Sequence, residues 1–189
     1  MFIRQTIRSD YCAVHSTAMA LTLAGHPTSR LEGLRLFEAG RRWTGASHAS
    51  ISRAILRRTG RLGRWRHGPS GNELELLPWL QRMAAALKGS PAVVTAYCQH
   101  RTLDLICGHS FVLVGLTPTH VELLDPLGKR PAAGQSTNVL LSLAQQPNDG
   151  LLATTGAVWD LRVDQKISVL KIGKSADGAP PLSARCTST

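Results

Sequence analysis

A change of periodicity at Pro91 constrains the fold of this chain more than any other feature. Before it, apolar residues recur at helical spacing; after it, short β-branched and apolar runs alternate with turn residues. In the first part Asp10 stands at an N-cap position ahead of YCAVHSTAMALTLAG. Cys12, Met19 and Leu23 lie near one helical face there, and Gly25 with Pro27 stops the run. This predicts a helix over about 11–24 with Cys12 in its first turn. Leu31, Leu34 and Phe37 predict a second helix over about 29–38. Ser47 caps a third, in which Ile51, Ala54 and Ile55 keep the period and arginines take the other face. The glycine-rich stretch Thr59 to Asn72 reads as a loop, and a fourth helix is expected over Leu76 to Lys88 with Pro78 in its first turn. Past Pro91, strands are expected at 92–98, 110–116, 120–125, 157–163 and 167–172, with one helix over about 137–146 between them. Helices first and an antiparallel sheet afterwards is an α+β layout. At 189 residues the chain is expected to form one domain over 1–173, followed by a flexible tail over 174–189.

Composition narrows the function classes. No window approaches the ~18 unbroken apolar residues of a membrane span, because His15, Ser16, Thr17 and Thr22 interrupt the longest apolar stretch. The N-terminus MFIRQTIRSDYC has no apolar core or small-residue cleavage site, so the chain is read as cytoplasmic, with export by a signal-independent route left open. Lys and Arg number 22 against 12 Asp and Glu, giving a net charge of +10. Arg53, Arg57, Arg58, Arg61, Arg64 and Arg66 form one cluster, with Arg41 and Arg42 upstream. Such a cluster is either a solvated face or an attraction for a polyanion: an acidic protein, an anionic membrane surface or, less favoured, nucleic acid. The four cysteines show no C-x-x-C pair and no metal-finger spacing, so neither a metal nor a cofactor is expected.

Three pieces are placed for nucleophilic chemistry. A cysteine opening a helix faces unpaired N–H groups and the positive end of the dipole, which favour the thiolate; a small core residue is the plain alternative for Cys12. The segment GHSFVLVGLTPTHVELLDPLG reads as a hairpin with its midpoint near residue 117. That register sets His109 opposite Asp125, at a Cβ separation of roughly 4.5–5.5 Å, close enough for a hydrogen bond. The alternative is a partly buried strand histidine and an aspartate that merely opens a D-P turn. Gln5, seven residues before Cys12, carries an amide donor able to join the Cys12 N–H in holding an oxyanion.

The order Gln, Cys opening an apolar helix, His, then Asp-Pro resembles the papain-like cysteine peptidases. QTIRSDYCAVHSTAMAL, GHSFVLVG and VELLDPLGK resemble in particular the bacteriocin-processing, double-glycine leader peptidases. The chain departs from that pattern where Tyr11 separates Asp10 from Cys12 and Ala13 replaces a glycine. The resemblance implies a papain-like fold with Cys12 as nucleophile, His109 as general base and acid, Asp125 orienting His109, and Gln5 as oxyanion donor. His15, one turn beyond Cys12, is assigned to packing or solvent. His120 is read as pointing into solvent or toward Glu122, His26, His48, His67 and His100 show no partner pattern, and Trp43, Trp65 and Trp79 are read as core or cleft wall. The leading expectation is hydrolysis of a peptide or other amide bond in a peptide or protein substrate. The competing one is a catalytically silent module that binds an acidic partner through its arginines. Arg57, Arg61 and Trp65 are the candidate substrate-binding or partner-binding residues, and an enzyme that docks an acidic partner combines the two.

Overall fold

The computed structural model describes residues 2–4, 11–38, 46–69, 73–103, 105–135 and 137–174. Gln5, Asp10, Arg41, Arg42, Trp43 and all of the expected tail except Lys174 lie outside them. Among the described residues there are four helices and eight strands, and the fold is α+β.

Helix α1 (Cys12–Leu23) is buried continuously from Ala13 to Leu21. A helix with no distinct polar face belongs inside the molecule, and α1 is enclosed by two more helices and the sheet. Its N-cap position is Tyr11 rather than Asp10, so Cys12 is the first helical residue. Helix α2 (Arg30–Leu36) starts with a capping box. The Glu32 N–H donates to Ser29 Oγ at 3.2 Å, and the Ser29 N–H donates to Glu32 Oε2 at 2.7 Å. Gly33 lets α2 lie against α1, since a Cβ there would sit 3.2 Å from that of Ala18. Helix α3 (His48–Thr59) is capped by Ser47 and ends at Gly60, whose φ of 70° is the left-handed terminator glycine tolerates. Helix α4 (Glu73–Leu87) begins earlier than expected, which moves Pro78 out of the first turn. Pro78 has no N–H to donate to the carbonyl four residues before it, that of Leu74, a residue on the exposed side of the helix.

Two other expectations are corrected. Residues 137–146 are not helical: Val139–Ser142 form strand β5, with Val139 and Leu141 buried and their neighbours half-buried. The loop expected over 59–72 contains a short strand, β1 (Trp65–His67), along β8 (Ser168–Lys171). The remaining strands are β2 (Ala92–His100), β3 (Ile106–Leu116), β4 (His120–Leu124), β6 (Leu151–Leu152) and β7 (Trp159–Arg162). All pair antiparallel, in the order β1-β8-β2-β3-β4-β5. The far half of β2 pairs with β7, and β7 in turn pairs with β6.

The sheet separates two apolar clusters, which is why its central strands read as nearly continuous apolar runs. Val93, Val112, Leu124 and Leu170 face α1 and α3, while Val94, Phe111, Leu113 and Val169 face α4 and Trp159. Among the described residues no helix is long and apolar enough to cross a membrane.

Candidate active site

Strand β4 accompanies β3 only from Val112 to Leu116. Just before that stretch, the N-terminal turn of α1 takes its place beside β3. Ser16 Oγ donates to the Ser110 carbonyl at 2.6 Å, and the Ser110 backbone also hydrogen-bonds the Cys12 sulfur. The Ala13 backbone, in the first turn, is a further partner of that sulfur. Cys12 is thus held between its own helix and the strand that carries His109, and it stays partly exposed.

His109 and Asp125 are buried, and His109 Nε2 lies 2.7 Å from Asp125 Oδ1. They meet by a different register from the one expected. Val112 pairs with Leu124, and the hairpin shifts register between Leu113 and Gly115. Asp125 therefore falls level with Phe111, and His109 reaches it diagonally, on the same face of the strand. A carboxylate only accepts, so Nε2 carries the proton and Nδ1 is left for Cys12, whose thiol is hydrogen-bonded to His109.

Asp125 has two further donors that the sequence reading did not find. Trp159 Nε1 donates to Oδ2 at 2.7 Å, and the Leu127 N–H donates to Oδ1 at 3.0 Å. The Trp159 ring also stacks on Phe111, with centroids 5.0 Å apart, and meets His109 edge-on at 5.4 Å. Asn138 holds the backbone of the same turn: its Oδ1 accepts from the Asp125 N–H, and its Nδ2 donates to the carbonyls of Asp125 and Lys129, each at 2.8 Å. Gly156 gives Asn138 its space. A Cβ there would lie 2.1 Å from the Asn138 carbonyl oxygen, and the φ of +91° already favours glycine. Only the glycine of the D-P-x-G turn hinted at this arrangement, because Asn138 and Trp159 lie 13 and 34 residues from Asp125.

The electrostatics follow from these partners. Burial pulls the His109 pKa down, but the Asp125 charge and hydrogen bond, with the Cys12 contact, outweigh it and push the value up to about 10. Burial raises the Cys12 thiol, yet the His109 hydrogen bond and charge and the Ser110 and Ala13 backbone contacts bring it below the ordinary cysteine value. Both shifts favour a thiolate–imidazolium pair that titrates as a unit. Cys98, fully buried, is driven the opposite way by burial and by neighbouring Cys107 and Asp125.

No protein-family model and no curated protein matches this sequence. Among solved structures, the chain is similar to one described as a C39-like peptidase from Bacillus anthracis. The identity is 16%, the TM-score is 0.47, and the match covers 92% of this chain and 96% of that chain.

The other sequence candidates lie elsewhere. Gln5 is outside the described residues. Arg57 donates to the Leu36 carbonyl and pairs with Glu38 at 2.5 Å, at the C-terminal end of α2. Arg61 sits beside Gly173, level with the C-terminal end of α1. Trp65 comes nearer the site: its Nε1 donates to Ser52 Oγ at 2.9 Å and its ring stacks on His48 at 4.0 Å. His48 Nε2 then meets Thr95 Oγ1 at 2.7 Å, and Thr95 is the register partner of Ser110. His26, His48, His67 and His100 all have polar partners, contrary to expectation, because those partners are groups remote in the sequence or local backbone groups. His15 is buried in packing, as expected, with neither ring nitrogen hydrogen-bonded.

Proposed function

We propose that this chain is a cysteine peptidase or amidase of papain-like organisation. The observation that supports this reading is the continuous hydrogen-bonded chain Cys12–His109–Asp125, assembled from a helix start, a strand and a turn. A structural histidine needs one partner; His109 has a carboxylate on one nitrogen and a partly exposed thiol on the other.

In this reading the Cys12 thiolate attacks the amide carbonyl carbon. The Cys12 N–H, unpaired at the first helical position, donates to the oxyanion with Gln5 as its proposed companion. His109 gives its Nδ1 proton to the leaving amine, and the C–N bond breaks to leave a thioester on Cys12. Water, deprotonated by His109, then adds to the thioester carbonyl, and collapse releases the acid and restores the thiolate. Asp125 keeps Nε2 protonated throughout and does not itself take the proton. Resemblance to the double-glycine leader peptidases makes a peptide the first substrate class to assay, with peptidoglycan stem peptides beside it.

The test compares thiols within one protein. Near pH 6, iodoacetamide should modify Cys12 well ahead of Cys98, and Cys12→Ala should abolish hydrolysis in a peptide-library screen. Equal modification of the two thiols, or a Cys12→Ala protein that still cleaves, would remove the reading.

A further inference from the structure

The positive charge is distributed unevenly between the two parts of the chain. Residues 1–72 hold 12 of the 22 basic residues, all of them arginine, and only three of the 12 acidic ones. The sheet-forming remainder is close to neutral. An asymmetry of this kind points to an anionic partner for the helical part.

At one pole of the molecule two of these arginines, Arg58 and Arg61, come together with two lysines of the sheet-forming part. Arg58 donates to the Pro27 carbonyl, in the turn that follows α1. His26 in that turn lies 3.3 Å from the Gly173 carbonyl. Arg61 Nη1 lies 3.7 Å from where a Cβ would stand on Gly173. Lys171 donates to the Ala86 carbonyl in the last turn of α4, and Lys174 reaches the neighbouring Gly89. Arg58, His26 and Arg61 lie about the C-terminal end of α1, a 12-residue helix whose other end is Cys12, while Lys171 and Lys174 lie across the sheet at the C-terminal end of α4. The two ends of α1 are about 18 Å apart. The acidic neighbour of Arg58 there, Glu32, is engaged by the Ser29 cap.

Two large apolar side chains stand exposed among the cations: Leu62 at 69% and Leu23 at 37%. Leucines held in water beside arginine and lysine gain nothing from a nucleic-acid duplex, whose backbone offers phosphates and no apolar layer. A bilayer interface suits both kinds of group, with phosphates for the cations and an acyl boundary for the leucines. We infer that the pole formed by Arg58, Arg61, Lys171, Lys174, Leu23 and Leu62 is a docking surface for an anionic lipid bilayer. Docked this way, the molecule rests on the C-terminal end of α1, and Cys12, at the opposite end of the helix, stays open to solvent.

Sedimentation of the full chain with phosphatidylcholine vesicles, with and without phosphatidylglycerol, tests this. Binding is expected only to the vesicles containing phosphatidylglycerol and should fall as salt rises. Arg61→Glu and Lys174→Glu, both at exposed sites, should each weaken it about fivefold or more. Leu62→Ser should weaken it further without changing the net charge. Cys12→Ala should bind like the unmodified chain, which keeps this result separate from the peptidase reading. Indifference to Leu62→Ser, equal binding to neutral vesicles, or tighter binding to duplex DNA than to the anionic vesicles would each overturn the inference.

Discussion

Asp125→Asn is a demanding perturbation of this site, because both carboxylate oxygens are already accepting. Oδ1 takes the His109 and Leu127 N–H groups, and Oδ2 takes the Trp159 indole N–H. An amide has one acceptor and one donor end, so in either orientation a buried donor meets a donor. With its oxygen toward His109, Trp159 is left unpaired. With its oxygen toward Trp159, the amide N–H₂ drives the His109 proton from Nε2 to Nδ1 and removes the acceptor that holds the productive tautomer. A buried donor without a partner costs about 1–3 kcal/mol. For a chain of this size each of those kcal/mol is worth about 2–4 °C in the melting temperature. Loss of the Asp125 charge also lowers the His109 pKa and raises that of Cys12. Each unit of the latter cuts the thiolate fraction below its pKa about tenfold. The expected result is a melting point several degrees lower and Cys12 alkylation near pH 6 slowed tenfold or more. Trp159→Phe in the Asp125→Asn background removes the opposing donor and leaves a smaller aromatic ring, so its own packing loss is subtracted and about 1 kcal/mol should be recovered as the non-additive term. An Asp125→Asn protein as stable and as reactive as the parent, or a double-mutant cycle with no coupling between the two sites, would refute this account of the carboxylate.

Further outcomes follow from other contacts. His109 sits at about 10 in the fold against 6.5 when unfolded, so the stability it contributes is complete below about pH 6.5 and is lost as the pH rises through about 10. His109→Ala should therefore flatten the alkaline limb of a melting-temperature profile. His15 runs the other way: burial, with the Arg30 charge, depresses it to about 4, so stability falls as the pH drops from about 6.5 toward 4. His15→Leu should remove much of that acid limb, and an unchanged limb in chemical denaturation would count against it. Gly156→Ala should destabilise by about 3 kcal/mol or more in a urea titration, because its Cβ would overlap the Asn138 carbonyl at a positive φ. Ser16→Ala should cost about 1 kcal/mol through the lost bond to Ser110.

Local signals carried much of the fold. Ser29 and Glu32 spell a capping box three residues apart, Ser47 marks the start of α3, and the β-branched run at 92–98 could hardly pack other than as a central strand. Failures came where distant partners decide. VLLSLAQQ has leucines that suit a helix, yet β4 needs a partner along its outer edge, and alternate burial of Val139 and Leu141 supplies one. Trp65–His67 is too short and too close to glycines to read as a strand without β8 beside it. At the site, the residue order Cys12, His109, Asp125 was legible, and the structure brings those three together. The diagonal approach was not, because the turn is centred one to two residues beyond 117, with Leu116 paired to Val121, and the register shift at Val114 makes up only part of that difference. Trp159 and Asn138 escaped notice because nothing near them in the sequence suggests that they converge on Asp125.

The place where α1 meets β3 also bears on how the molecule survives in a crowded solution. A strand that loses its neighbour partway presents open backbone groups, a ready template for pairing with another chain. At Ser110 those groups are already occupied by the Cys12 sulfur and the Ser16 hydroxyl. The helix that carries the proposed nucleophile therefore also covers the edge of β3 at Ser110, and changes in its first turn should be screened for aggregation as well as for lost activity.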